Sequence, residues 1–128
     1  MKTINQYIQE KFIINKNTKS GYKYFPKTKE ELKEILEKRL LEDKNTNLND
    51  INVSGITDMG ELFMYLDPHN IDISEWDVSK VENMSYMFFG CRNFNSDLSN
   101  WKVSKVKNMN NMFFNCKSLK NIPTWYKK

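Results

Sequence analysis

The stretch ISEWDVSKVENMSYMFFGCRNFNSD, residues 73–97, decides the fold, because the next 25 residues, LSNWKVSKVKNMNNMFFNCKSLKNI, repeat its pattern without a gap. Trp76 falls on Trp101, Val78 on Val103, Ser79 on Ser104, Val81 on Val106, Asn83 on Asn108, Met84 on Met109, Met87 on Met112, Phe88 on Phe113, Phe89 on Phe114 and Cys91 on Cys116. One step back, Leu48, Ile51, Val53, Ile56, Met59, Leu62 and Phe63 fill the same apolar positions in an older-looking copy. A unit of this length cannot bury its own Met, Phe and Trp side chains alone. Stacked units bury one against the next, which is the logic of a repeat protein.

Within a copy, Val81, Met84, Met87, Phe88 and Cys91 fall at helical spacing and predict a short helix. Ser79 and Glu82 have the spacing of a capping box at its start, and Gly90 and Asn115 suit the left-handed residue that closes a helix, a rule from which Tyr65 departs. Between helices, Asp72-Ile73-Ser74, Asp97-Leu98-Ser99 and Asn121-Ile122 alternate polar and apolar. Each copy is thereby expected to add one short strand to a parallel ladder. The expected class is α/β: a short right-handed solenoid of about three strand-helix repeats, 48–72, 73–97 and 98–122, with a closing stub at 123–128.

The preceding segment, 1–47, reads as an N-terminal cap on the same folding unit. Thr28 and Glu31 form a second capping-box spacing after Pro26, and Leu32, Ile35, Leu36 and Leu40 follow at helical spacing with Glu34 and Lys38 on the wet side. These predict an amphipathic helix over 28–43. Upstream, Ile4, Ile8 and Phe12 suggest a short helix or hairpin, and Tyr22, Tyr24 and Phe25 a short strand or extended arm. At the far end Pro123, Lys127 and Lys128 are placed to blunt the edge against pairing with another chain.

The chain has 128 residues, 39% of them apolar and 28% charged, which suits one folded domain and excludes disorder throughout. No signal-like apolar run opens it and no stretch is long enough to span a membrane, so a cytoplasmic location is expected. Charge is segregated: residues 1–29 sum to +6, residues 30–97 to −9 and residues 98–128 to +7. Eighteen Lys against two Arg match the composition of a low-GC bacterial or phage genome.

Chemistry-bearing constellations are lacking. His69 stands alone beside Pro68. Asp72, Glu75 and Asp77 recur by repeat position, as solvated groups do, so no catalytic residue, metal ligand or cofactor site is expected. Cys91 and Cys116 share one repeat position, and buried free thiols are favoured there over a disulfide. The Met residues read as core filler. Trp76, Trp101 and Trp125 should form a ladder. If buried it is core; if partly exposed it anchors a partner, with Glu75, Asp77, Asn100 and Lys102 as a polar rim.

The run Asp72-Ile73-Ser74-Glu75-Trp76-Asp77-Val78-Ser79-Lys80-Val81, followed by Asn83-Met84, Met87-Phe88 and Gly90-Cys91, resembles the repeat of the BspA-like leucine-rich-repeat surface proteins of low-GC bacteria, a Mycoplasma-type lipoprotein repeat. The resemblance covers 48 to about 125. It implies a leucine-rich-repeat-like solenoid and binding to proteins, host matrix or cell surfaces, with no enzymatic activity. Family members are usually long and secreted or lipid-anchored, and this sequence shows neither a signal nor a lipobox-type Cys near its start.

Two functions follow. The first is a protein–protein interaction module working through the repeat surface, of adhesion type or as a phage-encoded inhibitor. The alternative is nucleic-acid binding through Lys102, Lys105, Lys107, Lys117, Lys120, Lys127 and Lys128 beside Trp101, Trp125 and Tyr126. The acidic middle and the scarcity of Arg weigh against it.

Overall fold

The computed structural model describes residues 21–127, so the short helix or hairpin expected around Ile4, Ile8 and Phe12 lies outside them. The chain first runs as an extended arm through Tyr24, whose backbone pairs in parallel with Ile51. Helix α1 then spans Lys29–Glu42. Thr28 caps it: its Oγ1 accepts the Glu31 N–H at 3.1 Å, while the Glu31 carboxylate reaches back to the Lys27 N–H at 2.8 Å. At the other end the Asp43 N–H closes onto the Arg39 carbonyl. Leu32, Ile35, Leu36 and Leu40 form the buried face of α1.

The α/β strand-helix solenoid does not form, and the leucine-rich-repeat-like description goes with it. Among the described residues α1 is the only helix, and there is no sheet, only four isolated parallel bridges: Tyr24 with Ile51, Asn47 with Asp72, Asp58 with Asn83, and Asn83 with Asn108. The segment read as a helix, 81–91, is a chain of tight turns. The N–H groups of Met87, Phe89 and Cys91 bond three residues back, to Met84, Tyr86 and Phe88. Those between them, of Met84, Tyr86, Phe88 and Gly90, leave the copy altogether and donate to Asn108, Asn110, Met112 and Phe114 at 2.8–3.0 Å. An α-helix needs every N–H to bond four residues back within its own segment.

Backbone handedness gives the second reason. Tyr86 (φ 57°) and Gly90 (φ 72°) are left-handed, as are Glu61 (61°) and Tyr65 (70°) one copy earlier and Asn111 (55°) and Asn115 (63°) one copy later. Each is the third residue of a four-residue turn, where turns of the second type carry positive φ. Two such residues per segment forbid a continuous right-handed helix. Gly90 and Asn115 therefore close turns, and Tyr65 adopts the same conformation as they do.

The other local expectations fail for a related reason. Ser79 and Glu82 form no capping box: the Ser79 N–H and Oγ donate to Asp77 Oδ1 at 3.0 and 2.6 Å, and the Glu82 N–H donates to the Thr57 carbonyl. Nor are Asp72-Ile73-Ser74, Asp97-Leu98-Ser99 and Asn121-Ile122 strands. Asp72 and Asp97 accept from the N–H groups of Ser74 and Ser99 two residues on, at 3.0 and 2.9 Å, which is an Asx turn. Short polar side chains capture the local amides before a strand can use them.

What results is a stack of turn-rich layers in a 25-residue register. The rings of Phe63, Phe88 and Phe113 lie nearly parallel with centroids 5.0 and 5.6 Å apart, and those of Trp76, Trp101 and Trp125 follow at 6.4 and 6.1 Å. Each indole N–H is satisfied by a carbonyl one layer back: Trp76 by Leu48, Trp101 by Ile73 and Trp125 by Leu98, at 2.8–2.9 Å. The core runs unbroken from Leu32 of α1 to Phe113, and among the described residues no polar or charged residue is buried in it. Helix α1 is tied to the first layer by Arg39 on Asp50 at 3.1 Å and on the Asn47 carbonyl at 3.0 Å, and by Lys29 on Asp58 at 3.1 Å.

Candidate protein-interaction surface

Turn chemistry positions the side chains named from sequence. Trp76 and Trp101 are each only 4% exposed, stacked on one another with their N–H groups used internally, so both are core. Trp125 is partly buried at the end of the ladder. The residues beside the ladder are outside it: Glu75, Asp77, Asn100 and Lys102 are exposed, and with Ser74 and Ser79 they line one shallow groove of about 420 Å³. The structure thus brings together the proposed rim and withdraws two of the three anchors.

The groove is charged on both sides. The Ser79 hydroxyl and N–H beside Asp77 hold its carboxyl below the usual carboxylate range, so it stays anionic at neutral pH. The Glu75 N–H is held by Asn49 Oδ1 of the previous layer at 3.0 Å, which fixes the backbone that carries the Glu75 carboxylate. Lys102 occupies the position of Asn52 and Asp77. Those two residues close Asx turns onto Ser54 and Ser79, at 3.0 Å in each case. A Lys has no acceptor for such a turn. The third layer therefore gives up a local bond and places an ammonium one layer above two carboxylates.

A second feature was not singled out from sequence. Tyr65 (88% exposed), Tyr86, Phe89 and Phe114 (55% exposed) form an outer aromatic stripe, with Phe89 stacked on Phe114 at 5.0 Å and Tyr86 tilted against Phe89 at 5.5 Å. It leads into a larger cleft of about 490 Å³ lined by Tyr86, Asn110, Asn111, Phe113, Phe114, Ile122 and Tyr126. The available signal was that Phe89 and Phe114 agree between copies while falling off the inward three-residue spacing.

The basic stretch is exposed but not continuous. Lys107 pairs with Glu82 at 2.9 Å, and Lys105, Lys107 and Glu82 border the same hollow. Both cysteines are free: Cys91 Sγ donates to the Phe63 carbonyl at 3.4 Å and Cys116 Sγ to the Phe88 carbonyl at 3.0 Å. Burial pushes the Cys91 thiol up to about 12 and the Cys116 thiol up to about 11. His69 Nε2 lies 3.2 Å from Asp67 Oδ2. Among the described residues no group of three or more His, Cys, Asp or Glu side chains could hold a metal ion, and no helix is long and apolar enough to cross a membrane.

Residues 30–128 match the family described as Mycoplasma protein of unknown function, DUF285. No curated protein and no solved structure matches the chain. The match begins inside α1 and takes in every layer, so helix and layers fall within one family region. It gives no support to a leucine-rich-repeat assignment.

Proposed function

We propose, on the premise that this chain belongs to the Mycoplasma DUF285 family of unknown function, that it is a non-enzymatic module that binds another protein through the surface of its stacked layers. The observation that carries this reading is the groove in which Glu75, Asp77, Asn100 and Lys102 converge from two layers. Its floor includes the buried indole of Trp76, stacked on Trp101, which holds in place the backbone that carries the charged groups. Lys102 adds weight, since it replaces a turn-closing residue with one that contributes nothing locally. Sites where a chain departs from its own local rules are where function is expected.

The test is a pull-down with the tagged chain from a lysate of its native host, treated with nuclease and run alongside the variants Glu75→Lys and Lys102→Glu. A discrete protein that survives nuclease and moderate salt, and is lost with either charge reversal, is the expected result. Recovery that disappears with nuclease or falls steeply with salt overturns the reading in favour of the lysines of residues 98–128.

A further inference from the structure

The third layer ends in a row of unused donors. In the layers before it, Met59, Glu61 and Phe63 donate their N–H groups to Asn83, Ser85 and Met87, and Met84, Tyr86, Phe88 and Gly90 donate to Asn108, Asn110, Met112 and Phe114, all at 2.8–3.0 Å. The counterparts one layer on are Met109, Asn111, Phe113 and Asn115, and among the described residues none of these four N–H groups has an acceptor. They alternate along the backbone with a two-residue period, the period at which an extended segment presents carbonyls to an edge. Two of the four, Asn111 and Phe113, border the cleft of about 490 Å³, where Phe114 and Ile122 are 55% and 59% exposed. The surrounding sequence, 98–128, carries seven Lys and no acid.

We propose that this edge binds an acidic, extended segment of a partner protein. Its carbonyls take the four free amides, its apolar side chains enter the cleft against Phe114 and Ile122, and its carboxylates face the lysines. Donor polarity argues against a second copy of the same chain as occupant. Two such edges would meet donor to donor and Lys to Lys, and at the opposite end of the stack α1 lies against the first layer, with Lys29 on the Asp58 carboxylate and Lys33 on the Glu61 carbonyl. The edge is separate from the groove of Glu75 and Lys102, so either reading can fail alone.

The experiment is amide hydrogen exchange by NMR on the 128-residue chain, free and with an eight-residue peptide of alternating Glu and Val blocked at both ends. In the free protein the amides of Met109, Asn111, Phe113 and Asn115 should exchange at least about a hundredfold faster than those of Met84, Tyr86, Phe88 and Gly90, as unbonded groups do beside bonded ones. Peptide should slow the four and shift their resonances, while the same peptide with Lys for Glu has no effect. Phe114→Ser and Ile122→Ser should each weaken the peptide by about tenfold, a usual loss for one apolar contact side chain. The slow amides of the second layer should stay slow in both variants, which shows the fold intact. The proposal is overturned if the four amides are already slow in the free chain, if peptide leaves them unchanged, if the Lys peptide or a single-stranded oligonucleotide protects them equally, or if sedimentation shows that protection comes from a dimer.

Discussion

Tyr65 holds a left-handed backbone (φ 70°) with its ring almost wholly in solvent, at the position where the following layers place Gly90 and Asn115. An L side chain other than Asn or Gly is disfavoured there by roughly 1–2 kcal/mol, and Tyr65 has little packing to offset it. Tyr65→Asn is therefore expected to raise stability by about 0.5–1 kcal/mol, read from the urea midpoint; a fall would mean that the ring contributes packing after all. The cysteines make a second residue-scale prediction. In the unfolded chain both thiols ionise near the ordinary value of 9.0, whereas in the fold they keep their protons to about 12 and about 11. The native state then binds more protons than the unfolded state above pH 9. This contribution is complete below that pH and is lost as pH rises through the folded values. Urea midpoints measured from pH 8 upward should fall, and the fall should be shallower in a Cys91→Ala, Cys116→Ala double variant. Identical slopes would remove the buried thiols from the account.

The i, i+3 spacing of apolar residues means different things in different elements. In α1 it lies along a helix built of Glu, Lys and Leu, with Thr28 at its start and nothing above it to take its amides. In 81–91 the same spacing marks the two ends of successive turns, because residues at i and i+3 of a turn also point the same way. Asn83, Ser85 and Gly90 in that segment are poor helix formers and good turn formers. Periodicity counted the inward residues and could not tell which backbone carried them. Composition held the discriminating hint: each layer is rich in Asn, Asp and Ser two residues apart. The element-scale prediction follows from the Phe column. Phe88 is fully buried between Phe63 and Phe113 and packs on Phe94 at 4.1 Å. Phe88→Ala is expected to lose about 3–5 kcal/mol, and Phe114→Ala less than about 1 kcal/mol, by chemical denaturation. Equal losses would contradict the assignment of inner and outer rings.

For the whole molecule, one apolar core joins α1 to every layer, so the chain is expected to unfold as a unit. Trp fluorescence, which reports Trp76, Trp101 and Trp125 in the layers, and far-ultraviolet circular dichroism at the helical minimum, which reports α1, should give coincident urea transitions. Separate midpoints would show that α1 and the layers are independent. The sequence by itself determined the 25-residue register, the identity of the inward columns and the segregation of charge, because stacking requires like residues to recur at a fixed step and that recurrence is written in the chain. Two things were decided only by tertiary structure. One is the backbone path, since whether an amide bonds within its own turn or to the next layer depends on that layer being there. The other is the fate of the Trp ladder, which is core because each indole N–H finds a carbonyl one layer back, a contact between residues 27 or 28 apart that no local pattern encodes.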